Sequence, residues 1–551
     1  MISIRSTAAI VGLTAALLSS GVVSAQTAPE ASRTQSVAQN DANDPRAMRL
    51  TLDEAIRTAA ERNLGVAIQS YQYRETGYDA RGTYGIFDPL AFADASAATS
   101  ERPLLTTIES PRSENIFTSV GVNQTLPTGG VWSVNFNNGR NESSSSVATV
   151  GEAFSSDIGF DFTQPLLRNF GVDVTRRFIN IARNNLGISR EEFRNVLTQT
   201  TLAVEMAYWD LIFARQNLEV KQQSRSLAAD QERITQIRID VGASAPLDIL
   251  QPRVAIATRE EEVITAEARI RDAEDRLRRL MNLPPEEWDR PIIPAATIEF
   301  QPVSVDAEAA VAQAWERRPE VQQLRLGTDI RRIQHMYARN QVRPRLDFRL
   351  EYGLAGLGGD EIIRDDNGAP IGVRQGGYGD AIEQVYGFDF PSWTVGLNFG
   401  LPIRNISARS EAKRAELELA RSQTDEQRLR QDIALDVRQA VRDIDTLSRQ
   451  IAATRAAREA AERNLEAERR RYENGMTTNF NVLEVQQQLS DSRSREIAAL
   501  VAYNQAVADY HRAVGDLLEA RNIAVSEPEA FDLPRSRYED VKWLNYSRTS
   551  N

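Results

Sequence analysis

The residues able to do chemistry in this chain are few, and their spacing argues against catalysis. Histidine occurs twice, at His335 and His511, inside helix-like stretches and without a partner at triad or metal spacing. Cysteine is absent, which removes disulfides, thiolate nucleophiles and thiolate metal sites. The glycines at 242 and at 356–359 belong to no Gly-x-x-x-x-Gly-Lys phosphate loop. No enzyme activity and no cofactor are expected. What remains is a small set of acids, amides and one phenol near two glycine turns: Asp248 after Gly242, and Tyr472, Thr477, Asn481 and Glu484 around Gly475. Taken singly they read as structure. The glycines suit helix C-caps, Asp248 suits the first turn of a helix, and Glu484 suits a solvated helix face.

Long rods must carry these turns. Met206, Phe213, Val220, Leu227, Ile234 and Val241 fall seven apart, and neither Pro nor Gly interrupts 189–240. That pattern predicts a coiled-coil seam with a descending arm of roughly 90 Å. A return arm over 247–281 follows, with a kink expected at Pro252. The arrangement occurs twice. Moving the numbering by 233 takes Gly242 to Gly475, Asp248 to Asn481 and Leu250 to Leu483. Val204, Leu211, Leu218 and Ile239 then face Val437, Ile444, Ile451 and Tyr472, so Tyr472 sits on the ladder. At another shift, Glu61-Arg62-Asn63 matches Glu316-Arg317-Arg318. The chain is a tandem duplication.

The organisation follows from this. Residues 1–25 read as a secretory signal peptide and 26–48 as a disordered linker. The first repeat spans 49–282, an equatorial linker 283–305, the second repeat 306–518 and a C-terminal tail 519–551. Helices are expected at 52–70 and 306–341. Between helices the period changes to two, over 90–97, 117–126, 131–137, 158–166, 346–354 and 393–401. Trp132 is read as breaking the alternation of its strand. A Gly- and Asp-rich loop is expected at 356–387. Prolines stand at four helix–strand corners, Pro89, Pro165, Pro344 and Pro402. Alternating strands of this length, with no apolar helix long enough to cross a bilayer, predict an outer-membrane barrel. Four to six strands cannot close one alone, so several copies must share it. Whether 115–140 adds a hairpin to the wall is open at this point. A net charge of −12 speaks against a nucleic-acid partner.

From about residue 50 to 518 the chain resembles the TolC-type outer-membrane efflux proteins. The resemblance rests on the duplication, the two glycine turns, the corners Gln164-Pro165-Leu166-Leu167-Arg168-Asn169 and Leu401-Pro402-Ile403-Arg404-Asn405, and the run Asn481-Val482-Leu483-Glu484. It implies an α+β membrane protein: tandem long α-helical hairpins forming a coiled-coil α-barrel, joined to strands of a shared transmembrane β-barrel in a homotrimer. It also implies an outer-membrane exit duct of a tripartite efflux or secretion system, extending into the periplasm of a Gram-negative-type bacterium. Its partners would be a periplasmic adaptor protein, an inner-membrane pump and outer-membrane lipid. Without cysteine no lipid anchor is expected. Carried over by position, Gly242 and Gly475 match the periplasmic tip where adaptors dock. Asp248 and Tyr472 match a carboxylate–phenol latch, a bond of about 1.5–3 kcal/mol. Thr477 stands where the pattern has arginine. Asn481 and Glu484 match an entrance ring, of which Glu484 alone keeps its acid, and a carboxylate ring would favour cations. A periplasmic adaptor or a coiled-coil scaffold without a pore is the alternative reading.

Overall fold

The computed structural model describes residues 47–101, 103, 112–143, 150–365, 370–531 and 533, so the expected signal peptide and nearly all of the linker at 26–48 lie outside it. The linker's last residue, Met48, starts a short strand, β1 (Met48–Leu50). Helix α1 (Leu52–Arg62) then opens on a capping box, in which Thr51 Oγ1 accepts the Glu54 N–H at 3.2 Å and the Glu54 carboxylate accepts the Thr51 N–H at 3.0 Å. The helix expected at 52–70 is in fact two, because Asn63 turns extended and caps α2 (Leu64–Gly82), accepting from Gly65 N and Val66 N. Four strands follow, β2 (Leu90–Glu101), β3 (Arg112–Thr125), β4 (Val131–Ser143) and β5 (Val150–Pro165). The first hairpin is α3 (Arg177–Asp240) and α4 (Leu250–Met281).

The second half begins after β6 (Ile292–Pro294) with α5 (Ala307–Arg317) and α6 (Pro319–Gln341). Here too a single expected helix, 306–341, is divided. Arg318 is held extended in front of Pro319, as the ring of a proline requires of its predecessor. The two breaks fall at matched positions of the duplication. Strands β7 (Arg345–Arg364) and β8 (Pro370–Arg374), helix α7 (Tyr378–Gly387) and β9 (Pro391–Gly400) come next. The loop expected at 356–387 is therefore largely strand and helix. The second hairpin is α8 (Ile406–Glu473) and α9 (Asn479–Val514). At 64 and 68 residues, α3 and α8 are each about 100 Å long. Pro252 lies in the first turn of α4, where its missing N–H has no intrahelical partner to lose, so no kink is needed there.

One antiparallel sheet runs β2-β3-β4-β5-β7, with β9 and the short β8 both pairing β7. The hairpin β3–β4, the segment left open by the sequence, is paired along its whole length with β2 on one side and β5 on the other. The register separates two faces. One row across the sheet is Ala93, Val120, Phe136, Ile158, Leu354 and Pro391; the next on that face is Ala91, Val122, Val134, Phe160, Tyr352 and Trp393. Trp132 joins this face opposite Phe162, so it keeps the alternation with Val134 and Phe136, and Val131 is the residue out of step. The other face carries Asp94, Ser119, Asn137 and Asp157 in one row and Asn123, Ser133, Asp161, Glu351 and Thr394 in another. There the side chains bond one another: Ser119 donates to Asn137 Oδ1 and Asn137 Nδ2 to Asp157, both at 2.7 Å. Pro89 and Pro344 directly precede β2 and β7, Pro165 ends β5, and Pro402 follows β9 by two residues.

The helical part is held at mid-height. Strand β1 pairs in parallel with β6 inside the expected linker 283–305. Two wholly buried tyrosines fix that linker to the rods. The Tyr208 hydroxyl donates to Leu50 O at 3.0 Å and accepts the Ala296 N–H, while the Tyr503 hydroxyl donates to Gln301 O at 2.8 Å and accepts the Val303 N–H. The tail folds back as a strap. Its Arg521 reaches Glu205 on α3, and Phe531 packs edge-on against Tyr73 and Tyr78, over Gly77 where a side chain would collide with its ring.

An ionic cluster at the same level makes stability depend on pH. Asp436 accepts from Arg318 Nη1 at 2.7 Å and from Arg512 Nη2 at 3.1 Å. Burial opposes its ionisation, but the bonds from Arg512 and Arg318 outweigh that and hold its carboxyl below the usual value. Glu320, half-buried but bonded by Arg318, is lowered in the same sense. A carboxyl lowered in the folded state stabilises it above the unfolded value of about 4, and that contribution vanishes as pH falls through the folded value. Unfolding midpoints should therefore be level from pH 7 to 5 and fall below about pH 4, with Asp436→Asn flattening the acid limb. Asp436 is one-third exposed, so solvent screening tempers the effect.

Candidate functional site

The two turns at the free end of the hairpins share one geometry. Gly242 N–H bonds Ile239 O at 2.9 Å and Ala243 N–H bonds Arg238 O at 2.7 Å; Gly475 N–H bonds Tyr472 O at 3.0 Å and Met476 N–H bonds Arg471 O at 2.8 Å. The glycine φ angles are +72° and +70°. Open space surrounds both, so the left-handed backbone of this helix stop, not crowding, selects glycine.

The candidate latch residues find other partners within one chain. The Asp248 carboxylate accepts the Ala245 N–H at 3.0 Å, capping its own short turn, Pro246–Ile249. The Tyr472 hydroxyl lies 3.4 Å from Thr235 Oγ1, and its ring lies under the Arg238 guanidinium at 4.5 Å. Arg238 Nη1 also donates to Tyr472 O at 2.7 Å. A last-turn helical side chain leans back toward the helix N-terminus, which carries this phenol away from Asp248 and onto α3. The Asp248 carbonyl meets the other hairpin, accepting from Asn479 Nδ2 at 3.4 Å. Thr477 donates to Glu468, on the preceding helix, and accepts from Asn481 Nδ2 at 3.0 Å. Glu484 is exposed and meets Gln488 Nε2 at 3.4 Å. Asn481 and Glu484, one turn apart on α9, share a solvated face.

A buried tie between the hairpins is one that the sequence reading did not single out. Arg259 is 3% exposed, and its Nη1 donates to Ser224 O on α3 and Gln486 Oε1 on α9, both at 2.9 Å, while Nη2 donates to Leu483 O at 3.1 Å. Three helices thus meet on one guanidinium. Burial pulls its pKa down, partly offset by Glu262 nearby. A signal was there: Arg259 stands seven residues after Pro252 and seven before Ala266, all on the buried seam of α4, where an arginine is out of place. Beside it an apolar groove of about 750 Å³ opens between α4 and α9, lined by Leu250, Val254, Phe480 and Leu483 with Glu484 at its rim.

Comparison with known proteins agrees with this architecture. The outer membrane efflux protein family matches residues 133–283 and 310–516. No curated relative matches. Among solved structures, that of CusC has a TM-score of 0.62 at 15% identity and covers 85% of this chain and 94% of its own. The Campylobacter jejuni CmeC outer membrane channel has 0.61 at 14%, covering 85% and 86%. The outer membrane protein VceC of Vibrio cholerae has 0.60 at 14%, covering 84% and 96%. At these identities the likeness is one of fold.

Proposed function

The chain belongs to the outer membrane efflux protein family, whose members are transport ducts and not enzymes, and on that premise we propose that three copies form one exit duct through the outer membrane. The observation that carries this reading is the panel: six long strands, apolar on one face and polar on the other, with both outer edges unpaired among the described residues. The edge strands β2 and β9 run in opposite directions, so β9 of one copy can pair antiparallel with β2 of the next. Unpaired backbone in lipid costs several kcal/mol per group, which makes closure obligatory. Three such panels give an eighteen-stranded wall, a size that leaves a water-filled lumen.

The polar face then lines the channel and the apolar face meets lipid. The hairpins extend from the barrel as a helical conduit into the periplasm, and the Gly242 and Gly475 turns form the tip that a periplasmic adaptor grips, with an inner-membrane pump beyond it. Threefold symmetry repeats Glu484 and Asn481 around the entrance. The adaptor and scaffold readings lose ground because neither needs a two-faced panel of this length.

Purified full-length protein should run as a trimer in detergent by native mass spectrometry and give stepwise, ohmic conductance in planar bilayers. A monomer that leaves the bilayer silent would overturn the proposal.

A further inference from the structure

Helix α7 packs on the wrong side of the panel for a lid over the exit. Gly356 and Gly358 of β7 continue the two-residue spacing of Leu350, Tyr352 and Leu354, so they lie on the apolar face. A side chain at Gly356 would strike the carbonyl of Ala381, and one at Gly358 that of Gly377. The helix backbone therefore rests directly on that face. It buries Ala381 and Val385, with Leu354 and Ser156 beneath. Its first residue, Tyr378, donates to Asn138 Oδ1 at 2.7 Å and meets the Phe154 ring edge-on.

The same helix mends a gap in the sheet edge. Pairing of β7 with β9 stops at Leu354, and pairing with β8 starts at Glu361. Between them Gln384 takes the place of a strand: its Oε1 accepts the Leu357 N–H at 2.9 Å and its Nε2 donates to Leu357 O at 3.0 Å. Supplying both bonds from a side chain is what an environment poor in water demands. In the last turn of the helix and past it the aromatics point outward. Tyr386, Phe388 and Phe390 are 72%, 61% and 59% exposed, and Trp393 follows on β9 at 73%. Phe388 adopts a φ of +58°, a conformation that a bulky residue rarely takes. The acids Asp380, Glu383 and Asp389 are exposed among them.

We propose that α7 is an anchor lying against the outside of the barrel at the surface of the outer leaflet, with Tyr386, Phe388 and Phe390 at its lower end set in the lipid–water boundary. This rests on reading the panel as a barrel wall. The occupant follows from continuity, because α7 runs down the apolar face, from Gly377 beside Gly358 past Ala381 beside Gly356 to Phe390 beside Ala355, and so crowns the apolar band with aromatic side chains mixed with charge, the composition of an interfacial girdle.

Because the chain has no native cysteine, single-cysteine variants carry a nitroxide at one place only. Tyr386→Cys, Leu397→Cys on the apolar face and Asn398→Cys on the polar face would be labelled in full-length protein reconstituted into phospholipid vesicles. Collision with dissolved oxygen reports lipid, and collision with a water-soluble nickel chelate reports water. The labels at 386 and 397 should favour oxygen several-fold, and the label at 398 should show the reverse. If 386 follows 398 while 397 favours oxygen, α7 is lumenal or in water and the inference fails while the barrel stands. If 397 itself favours nickel, the barrel reading falls and the anchor with it.

Discussion

Replacing Arg521 by alanine should cost about 3–5 kcal/mol of stability, because it strands a carboxylate that no water reaches. Glu205 is 0% exposed in the middle of α3, and the Arg521 guanidinium meets both of its oxygens, Nε on Oε2 at 3.0 Å and Nη2 on Oε1. A bidentate pair of this kind adds little over a well-packed apolar pair, but losing one member is expensive. The midpoint of urea unfolding should therefore drop strongly in Arg521→Ala. It should recover by more than half in the double variant Glu205→Leu, Arg521→Leu, which removes both charges. A second readout separates local from global damage. Arg521 begins the strap that ends with Phe531 over Gly77, so limited proteolysis of Arg521→Ala should clip the tail before the rods. Equal stability of the single variant and the parent would refute the assignment.

The second large effect is expected at the hairpin tips. Arg259→Ala removes three charge-assisted bonds that join α4 to α3 and α9, and leaves the Gln486 side chain, 1% exposed, without its donor. Hydrogen bonds to charged groups contribute about 1.5–3 kcal/mol each, and relief of guanidinium burial gives part back, so a net loss of about 2–3 kcal/mol follows. The functional consequence should be larger than the loss of stability. Arg259 and the Arg238–Tyr472 contact are among the bonds that tie the two hairpins near their turns, with Tyr472–Thr235, Asn479–Asp248 and Gln486–Leu227 beside them. Releasing Arg259 should raise single-channel conductance several-fold in planar bilayers, and Arg259→Lys, which keeps the charge but cannot fork between two helices, should lie between. Unchanged conductance in a destabilised Arg259→Ala protein would reduce the residue to packing.

Local pattern alone determined the scaffold. The heptad ladders, the 233-residue shift and the lone glycines fixed two hairpins with matching turns, because coiled-coil seams and left-handed helix stops are dictated by residues close in sequence. Period-two runs located all six long strands for the same reason. Tertiary structure decided what depends on chain segments far apart. It divided the helices at Asn63 and Arg318, made β3–β4 part of the sheet, and turned the supposed loop at 356–387 into strand and helix. Within one chain it also set the Asp248 carboxylate on the Ala245 N–H and the Tyr472 hydroxyl beside Thr235. Arg259, Glu205 and Gln384 are polar residues like dozens of others until the fold buries them or sets them against a backbone gap. Their roles come from desolvation and three-dimensional neighbours, and neither can be read from spacing along a chain.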